Sequence, residues 1–198
     1  DYYGAIADFT KSIALDPNVA DAYYNRGFIK ANFKDYKEAL ADFTKAIEID
    51  PNLAVAYNNR GIVKRKLKDY KGATADYNKA IEINPNDDVA YYNRGISNEE
   101  LEDYYGAILD YTKAIEVNTN YAKAYYNRGN LRAKFEDYKG AIADYTKSIE
   151  INPNKAESYH NRSAVKYYLD DYNGACKDAR KAQELGYDAS ALIKIVCK

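Results

Sequence analysis

The sequence predicts an all-α fold: a right-handed α-solenoid, or superhelix, of antiparallel helix pairs with a 34-residue period and a C-terminal capping helix. Three observations predict it. An Asn-Arg step recurs at a fixed stride, carrying Arg26, Arg60, Arg94, Arg128 and Arg162. Each period holds two runs of apolar residues at helical spacing, and each ends in a short turn rich in Asn, Asp and Pro. A regular period of this size denotes stacked supersecondary units that share one continuous core.

The elements follow in chain order. Residues 1–17 match the second half of later units, so they read as a partial repeat containing only its second helix. A first helix is expected upstream of Asp1, and the chain reads as a fragment or a processed domain. Residues 18–51, 52–85, 86–119, 120–153 and 154–187 are full repeats, together one array. In the first of these, Ala22, Arg26, Ile29 and Phe33 are spaced four, three, four and share one helix face. Asp35 follows as an N-cap. A second helix then carries Tyr36, Ala39, Phe43 and Ala46, with Leu40 and Ile47 beside them. Asp50-Pro51-Asn52 ends the pair, because proline cannot continue a helix interior; Asn52 is expected to cap the next helix. Small residues at Gly27, Gly61, Gly95 and Gly129, and at Ala39, Ala73, Ala107, Ala141 and Ala175, let neighbouring helices approach. The recurrent aromatics fill the space around them.

These residues carry a resemblance. Gly27, Ala39, Phe43, Ala46 and Pro51, with their copies one period on, resemble the tetratricopeptide repeat family over essentially the whole chain. The chain departs from the family pattern at Arg26 and its copies, where leucine is usual. Lys30 and Lys64 stand where an aromatic is common, and Thr119 replaces the turn proline, which is expected to loosen the turn before Tyr121.

Arg26 and its copies lie in an apolar stripe, and a buried guanidinium keeps its charge and needs a partner. The second helix offers one: Arg26 with Asp42, Arg60 with Asp76, Arg94 with Asp110, Arg128 with Asp144 and Arg162 with Asp178. We expect an internal Arg–Asp ladder, within or between adjacent repeats; the alternative is an arginine row that binds an anionic ligand.

About 100° round from the core stripe, the first helices present Asn25, Asn59, Asn93, Asn127 and Asn161 at one recurrent position. A side-chain amide donates and accepts, so such a row can pair with the backbone of an extended peptide. Tyr24, Phe28, Ile62, Tyr92, Ile96 and Tyr126 offer apolar contact beside it, with Asn130, Lys66, Lys123 and Lys134 on the same face. The other reading has these amides bonding to the next repeat or to their own helix. The row is similar to the asparagine rows of some peptide-binding tetratricopeptide superhelices, including the protein sugar-transferase type, and that resemblance implies a peptide ligand. The chaperone-tail subtype needs Lys just before the ladder Asn of one repeat, and Arg in place of that Asn two repeats later. Tyr24, Asn58, Tyr92, Tyr126 and His160 hold the first positions here and every ladder position is Asn, so a carboxylate clamp is not expected. Charge is uneven along the face, with Arg65-Lys66 in one repeat and Glu99-Glu100 in the next.

Composition excludes several functions. The 29 basic and 30 acidic residues give a net charge of −1, against the basic excess of a duplex-binding surface, so nucleic acid is not an expected partner. No apolar run is long enough for a membrane span. A single His, His160, and no phosphate-cradling glycine loop leave no acid, base or nucleophile set, so neither enzyme activity nor a cofactor or metal is expected. Cys176 and Cys197 lack metal-ligand spacing and read as buried thiols rather than a disulfide framework. The compartment cannot be read from a chain that opens in mid-repeat; the cytoplasm is the default.

The last unit departs from the pattern: Ala179 replaces Phe or Tyr, Gln183 replaces Ile, and Leu185-Gly186 is a helix stop. Asp188 then caps a short helix over 188–198 with Ala191, Leu192, Ile195 and Val196 on one face, covering the open end. At the other end Tyr2, Ala5, Ile6, Phe9 and Ile13 await a covering helix. The functional reading is a non-catalytic protein–protein interaction scaffold that binds a peptide or protein segment in its concave groove. The alternatives are a self-assembling module, forming a homo-oligomer through its uncapped N-terminal end, and a regulatory arm of a larger protein.

Overall fold

A computed structural model describes residues 2–197, and among them all regular structure is helical. Second-type helices begin at Tyr2 (α1, Tyr2–Leu15), Tyr36 (α3, Tyr36–Ile49), Tyr70 (α5, Tyr70–Ile83), Tyr104 (α7, Tyr104–Val117), Tyr138 (α9, Tyr138–Ile151) and Tyr172 (α11, Tyr172–Glu184). First-type helices alternate with them: α2 (Ala20–Asn32), α4 (Ala54–Lys66), α6 (Asp88–Glu100), α8 (Ala122–Lys134) and α10 (Ala156–Tyr168). A short α12 (Ser190–Val196) closes the chain. The fold class is therefore all-α, an α-solenoid of helix pairs repeating every 34 residues.

The chain divides into two compact units, Asp1–Ala107 and Ile108–Lys198. In the first, α1 packs on α2, α2 on α3, α3 on α4, α4 on α5 and α5 on α6. Ala39, Phe43 and Val63 form one buried cluster there; Ala46, Ile47 and Ala56 form another. In the second unit α8, α9, α10, α11 and α12 pack in succession, with Ala141, Tyr145 and Val165 at the core of the α8–α10 layer.

Close approach explains the small residues. A Cβ on Gly61 would lie 2.6 Å from the Tyr77 ring, so any side chain there displaces the aromatic. Ser163 stands at the equivalent position in the last repeat. It is tolerated because the facing aromatic has become Ala179, and its hydroxyl donates to the Ala175 carbonyl at 2.7 Å.

The turns differ in detail from the sequence expectation. The second-helix carboxylate caps Asp69, Asp103, Asp137 and Asp171 each accept from the backbone N–H of a glycine three residues on. Asp35 occupies the N-cap position of α3 but makes no such bond, since its carboxylate accepts from the Tyr2 hydroxyl instead. Asn52 does not cap α4: Leu53 is the N-cap, and the Asn52 N–H donates back to Asp50 at 2.9 Å. Thr119 does not loosen its turn, because the Asn120 N–H bonds the Asn118 side chain at 3.0 Å, as in the proline-containing copies. Phe33 leaves the core stripe; it is the C-cap of α2, 58% exposed, and its ring packs at a tilt against Tyr2. The residue after each first helix's C-cap is left-handed without being glycine, at Lys34, Lys68, Glu102, Glu136 and Asp170, with φ between 60° and 68°. The helix end imposes that conformation, since the following N–H, as in Asp35 to the Lys30 carbonyl at 2.9 Å, must close the terminal turn.

The C-terminal helix is where the sequence reading fails most. Cys176 and Cys197 are joined in a disulfide across 21 residues, not held as free thiols. The pairing arises because α12 folds back on α11, over the space opened by Ala179. Leu192, Ile193 and Val196 turn inward, while Ala191 and Ile195 are exposed, so the apolar face is rotated from the expected one. Asp188 accepts from the Ser190 N–H at 3.1 Å, one residue ahead of the N-cap Ala189. Replacing both cysteines by serine is expected to lower stability by about 2–4 kcal/mol. A urea titration of C176S/C197S beside the oxidised wild type checks this; coincident curves would show that the cap is held by packing alone.

Candidate functional site

The charged core is built first. In the first unit, Arg26 Nε and Nη2 donate to both Asp42 carboxylate oxygens at 3.0 and 2.7 Å. Arg60 grips Asp76 in the same way at 2.9 and 2.7 Å. In the second unit Arg128 holds Asp144 at 2.9 and 2.7 Å, and Arg162 holds Asp178 at 2.8 Å through both nitrogens. These bonds lie within a repeat. The remaining Nη1 reaches the preceding second helix, donating to Thr10, Thr44, Thr112 and Thr146. Arg94 makes that reach to Asn78 at 2.7 Å, and Asp110 is buried.

Each of the four gripped aspartates carries a second cation one helical turn beyond its arginine: Lys30, Lys64, Arg132 or Lys166, at 2.7 to 2.9 Å. This accounts for basic residues where the family pattern has an aromatic. Each guanidinium also lies over the ring of the tyrosine three residues before it, as Arg26 over Tyr23 at 5.6 Å. With three of its five N–H donors committed inside the array, such an arginine is poorly placed to hold an outside anion. The threonines escaped the sequence reading although they recur with the same period.

The asparagine row is also partly spent. Asn25 donates to the Asp21 carbonyl of its own helix at 2.8 Å. Asn59 uses its amide on the Val55 carbonyl at 2.9 Å and on the Tyr24 hydroxyl of the previous repeat at 3.3 Å. Asn93 is buried and donates to Asn58 at 3.1 Å. Asn127 donates to the Tyr111 hydroxyl at 3.4 Å, and Asn161 to Tyr126 and Asn130 at 3.1 and 2.9 Å. The amides of Asn59, Asn93, Asn127 and Asn161 therefore tie repeats together, while Asn25 bonds within its own helix. What Asn59 and Asn161 retain for a ligand is their carbonyl oxygens, which accept only.

An open recess lies on this face in each unit, and the two are at the same place in the repeat. In the first unit Phe28, Ala31 and Asn32 from α2, Lys34 and Tyr36 from the turn and the start of α3, and Asn59, Ile62, Val63 and Lys66 from α4 enclose about 370 Å³. In the second unit the recess of about 640 Å³ is lined by Asn130, Ala133, Glu136, Tyr138, Tyr145, Asn161, Ala164, Val165 and Tyr168. Every lining position of the second recess except Tyr145 lies three periods, 102 residues, beyond a lining position of the first. Sequence reasoning placed Phe28, Asn59, Ile62, Lys66, Asn130 and Asn161 on this face, and the recesses bring them together. It missed Ala31, Lys34, Tyr36, Val63, Ala133, Glu136 and Tyr138. Lys34, Tyr36, Glu136 and Tyr138 come from the turn and the second helix, which a reading confined to first helices does not reach, whereas Ala31, Val63 and Ala133 lie on the first helices beside the expected stripe. Tyr92 and Ile96 are half-buried, and Lys123 and Lys134 are exposed outside both recesses.

Burial shapes the ionisable groups around these recesses. It raises the phenols of Tyr24 and Tyr126 and lowers the Lys155 ammonium, which sits 3.6 Å from the Tyr126 ring centroid. His160, also lowered by burial, packs at a tilt against Tyr187, with ring centroids 4.4 Å apart. The fully buried Tyr77 phenol is pushed up to about 12 by desolvation. Below pH 10 the folded and unfolded phenols are both protonated. Between about 10 and 12 only the unfolded one ionises, so this contribution to stability is lost as pH rises through that window. Tyr77→Phe is therefore expected to shallow the alkaline loss of stability, measured by denaturant titration from pH 9 to 12. Parallel wild-type and variant profiles would refute it.

The fold and the open first-helix face are those of a scaffold for protein–protein interaction, a class that is generally non-catalytic. The chain belongs to the tetratricopeptide repeat family: one sequence profile of that family matches residues 20–53, 54–87 and 122–155, and another matches 76–108. No curated protein sequence matches it. Among solved structures it is similar to YrrB, a TPR protein with an unusual peptide-binding site, at a TM-score of 0.79 and 24% identity, covering 94% of this chain and 96% of that one. It is also similar to MamA (TM-score 0.76, 25% identity, 84% of this chain and 91% of that). PilF of Pseudomonas aeruginosa aligns at a TM-score of 0.85 and 20% identity, over 98% of this chain and 88% of that one. Among the described residues no group of three or more His, Cys, Asp or Glu is placed to hold a metal ion, and no helix is long and apolar enough to cross a membrane.

Proposed function

We propose that the first-helix face binds an extended peptide segment of a protein partner. The observation that carries this is the recurrence of an open recess at one register of the repeat in both units. Beside each lies an asparagine whose amide is fixed by the neighbouring repeat. Fixing the amide points a carbonyl oxygen without further ordering cost, so the asparagines act as acceptors for ligand backbone N–H groups. Phe28, 43% exposed, supplies apolar contact in the first unit. YrrB, a structural neighbour with a peptide-binding site, lends this reading support.

The test is a displayed-peptide selection against the wild type and against A31W/A133W, which fills both recesses while leaving the asparagine bonds untouched. Peptides that bind the wild type and lose at least about tenfold in affinity for the filled variant support the reading, a loss of about 1.4 kcal/mol. No enrichment, or equal binding to both proteins, sinks it.

A further inference from the structure

The two recesses occupy the same register but differ in chemistry. The first has an apolar wall of Phe28, Ile62 and Val63, with Lys34 and Lys66 on its rim and no carboxylate among its lining residues. Three periods on, Asn130, Ala164 and Val165 replace that wall, and Glu136 and Tyr168 replace the two lysines. The second recess therefore has one carboxylate and no cation among its lining residues, and Tyr138 and Tyr168, stacked at 5.3 Å and 8°, form one side of it. The backbone frame is common to both, since Lys34 and Glu136 hold the same left-handed conformation, with φ of 68° and 63°. Side-chain identity alone separates them.

We infer that the first-unit recess is a selectivity pocket for a bulky aliphatic or aromatic ligand residue with a carboxylate next to it in sequence. The apolar side chain lies against Phe28 and Ile62, and the adjacent Asp or Glu meets Lys34 and Lys66. This rests on the peptide-binding reading above and adds to it a ligand class. The lysines carry the choice: complementary charge at a rim attracts the right partner and repels its charge-reversed counterpart. The apolar wall supplies the affinity, because the ammonium groups stay hydrated and each contributes little alone.

The array itself provides the reagents for a test. Glutamate already stands at the Lys34 position in later repeats (Glu102, Glu136) and at the Lys66 position in Glu100, so K34E/K66E introduces residues this fold accommodates. Short fluorescein-labelled peptides on a Gly-Ser-Gln background, carrying Leu-Glu, Leu-Gln, Leu-Lys or Gly-Glu, are titrated by anisotropy at low ionic strength. The wild type is expected to bind Leu-Glu about tenfold tighter than Leu-Lys, with Leu-Gln between. K34E/K66E is expected to invert that order. F28N/I62A, which installs polar and small residues like those of the second recess, weakens all Leu probes together. Equal binding of Leu-Glu and Leu-Lys overturns the inference, as does Gly-Glu binding as well as Leu-Glu, which would mark unspecific charge attraction. If selected peptides bind and A31W/A133W blocks them while these probes show no ranking, the selectivity inference fails and peptide binding stands. If neither selected peptides nor probes bind, both fail.

Discussion

Asp144→Asn is expected to destabilise the second unit by about 3–5 kcal/mol, a large share of the stability of a domain this size. Asp144 is 2% exposed and pairs with two guanidiniums, Arg128 at 2.7 Å and Arg132 at 2.9 Å. The neutral amide offers one acceptor to two cations and turns an N–H toward one of them. Arg128 is then left partly buried without an anion, and Arg132 keeps only the more distant Asp137, at 3.6 Å. Arg128→Leu is expected to cost less, because Arg132 still faces Asp144 and the leucine suits the apolar stripe. The asymmetry is the informative part: charge stranding predicts the acid as the more sensitive partner, whereas simple loss of a pair predicts equal costs. Urea titrations of both variants, followed by helix circular dichroism, decide between them. An Asp144→Asn protein as stable as the wild type would show that the buried network contributes register rather than free energy.

Tyr145→Ala is the second large effect, expected to cost about 3–5 kcal/mol. The ring is 1% exposed and packs with Ala141 and Val165 and against Gly129, where a Cβ would lie 2.9 Å from it. Removing it opens a cavity in the cluster it forms with Ala141 and Val165. Its hydroxyl donates to Asn130 at 2.9 Å, and Asn130 also accepts from Asn161. Tyr145→Phe keeps the ring and is expected to cost only about 1 kcal/mol. It separates packing from the hydroxyl, and it loosens the polar floor of the second recess without filling it. Differential scanning calorimetry on the two variants checks the ordering; a phenylalanine variant as unstable as the alanine one would place the energy in the hydrogen bond.

The repeat period, the helix pairs and the arginine–aspartate partners were legible because each is a matter of spacing along one chain. A helix face follows from a 3.6-residue turn, and a stride held through Arg26 to Arg162 fixes which faces stack. The second cation on each aspartate was half visible: Lys30 and Lys64 stood out as departures from the family pattern, but only geometry shows that they share Asp42 and Asp76 with the arginines. The asparagine row had two readings in sequence, because an amide pairs equally well with a ligand or with a neighbour. Three-dimensional packing spends its N–H groups on Tyr24, Asn58, Tyr111 and Tyr126.

The sequence alone determined the class of fold, the family and the charged core, since all three depend on local periodicity repeated many times. Tertiary structure alone decided what happens once the repetition stops or elements from different helices meet. The Cys176–Cys197 bond and the inward face of α12 depend on how a unique segment folds back, and no internal copy exists to reveal it. The recesses draw on two first helices and the start of a second, with a left-handed turn residue on the rim. Their chemistry is a sum over residues distant in sequence, which periodicity lists one helix at a time and only packing brings together.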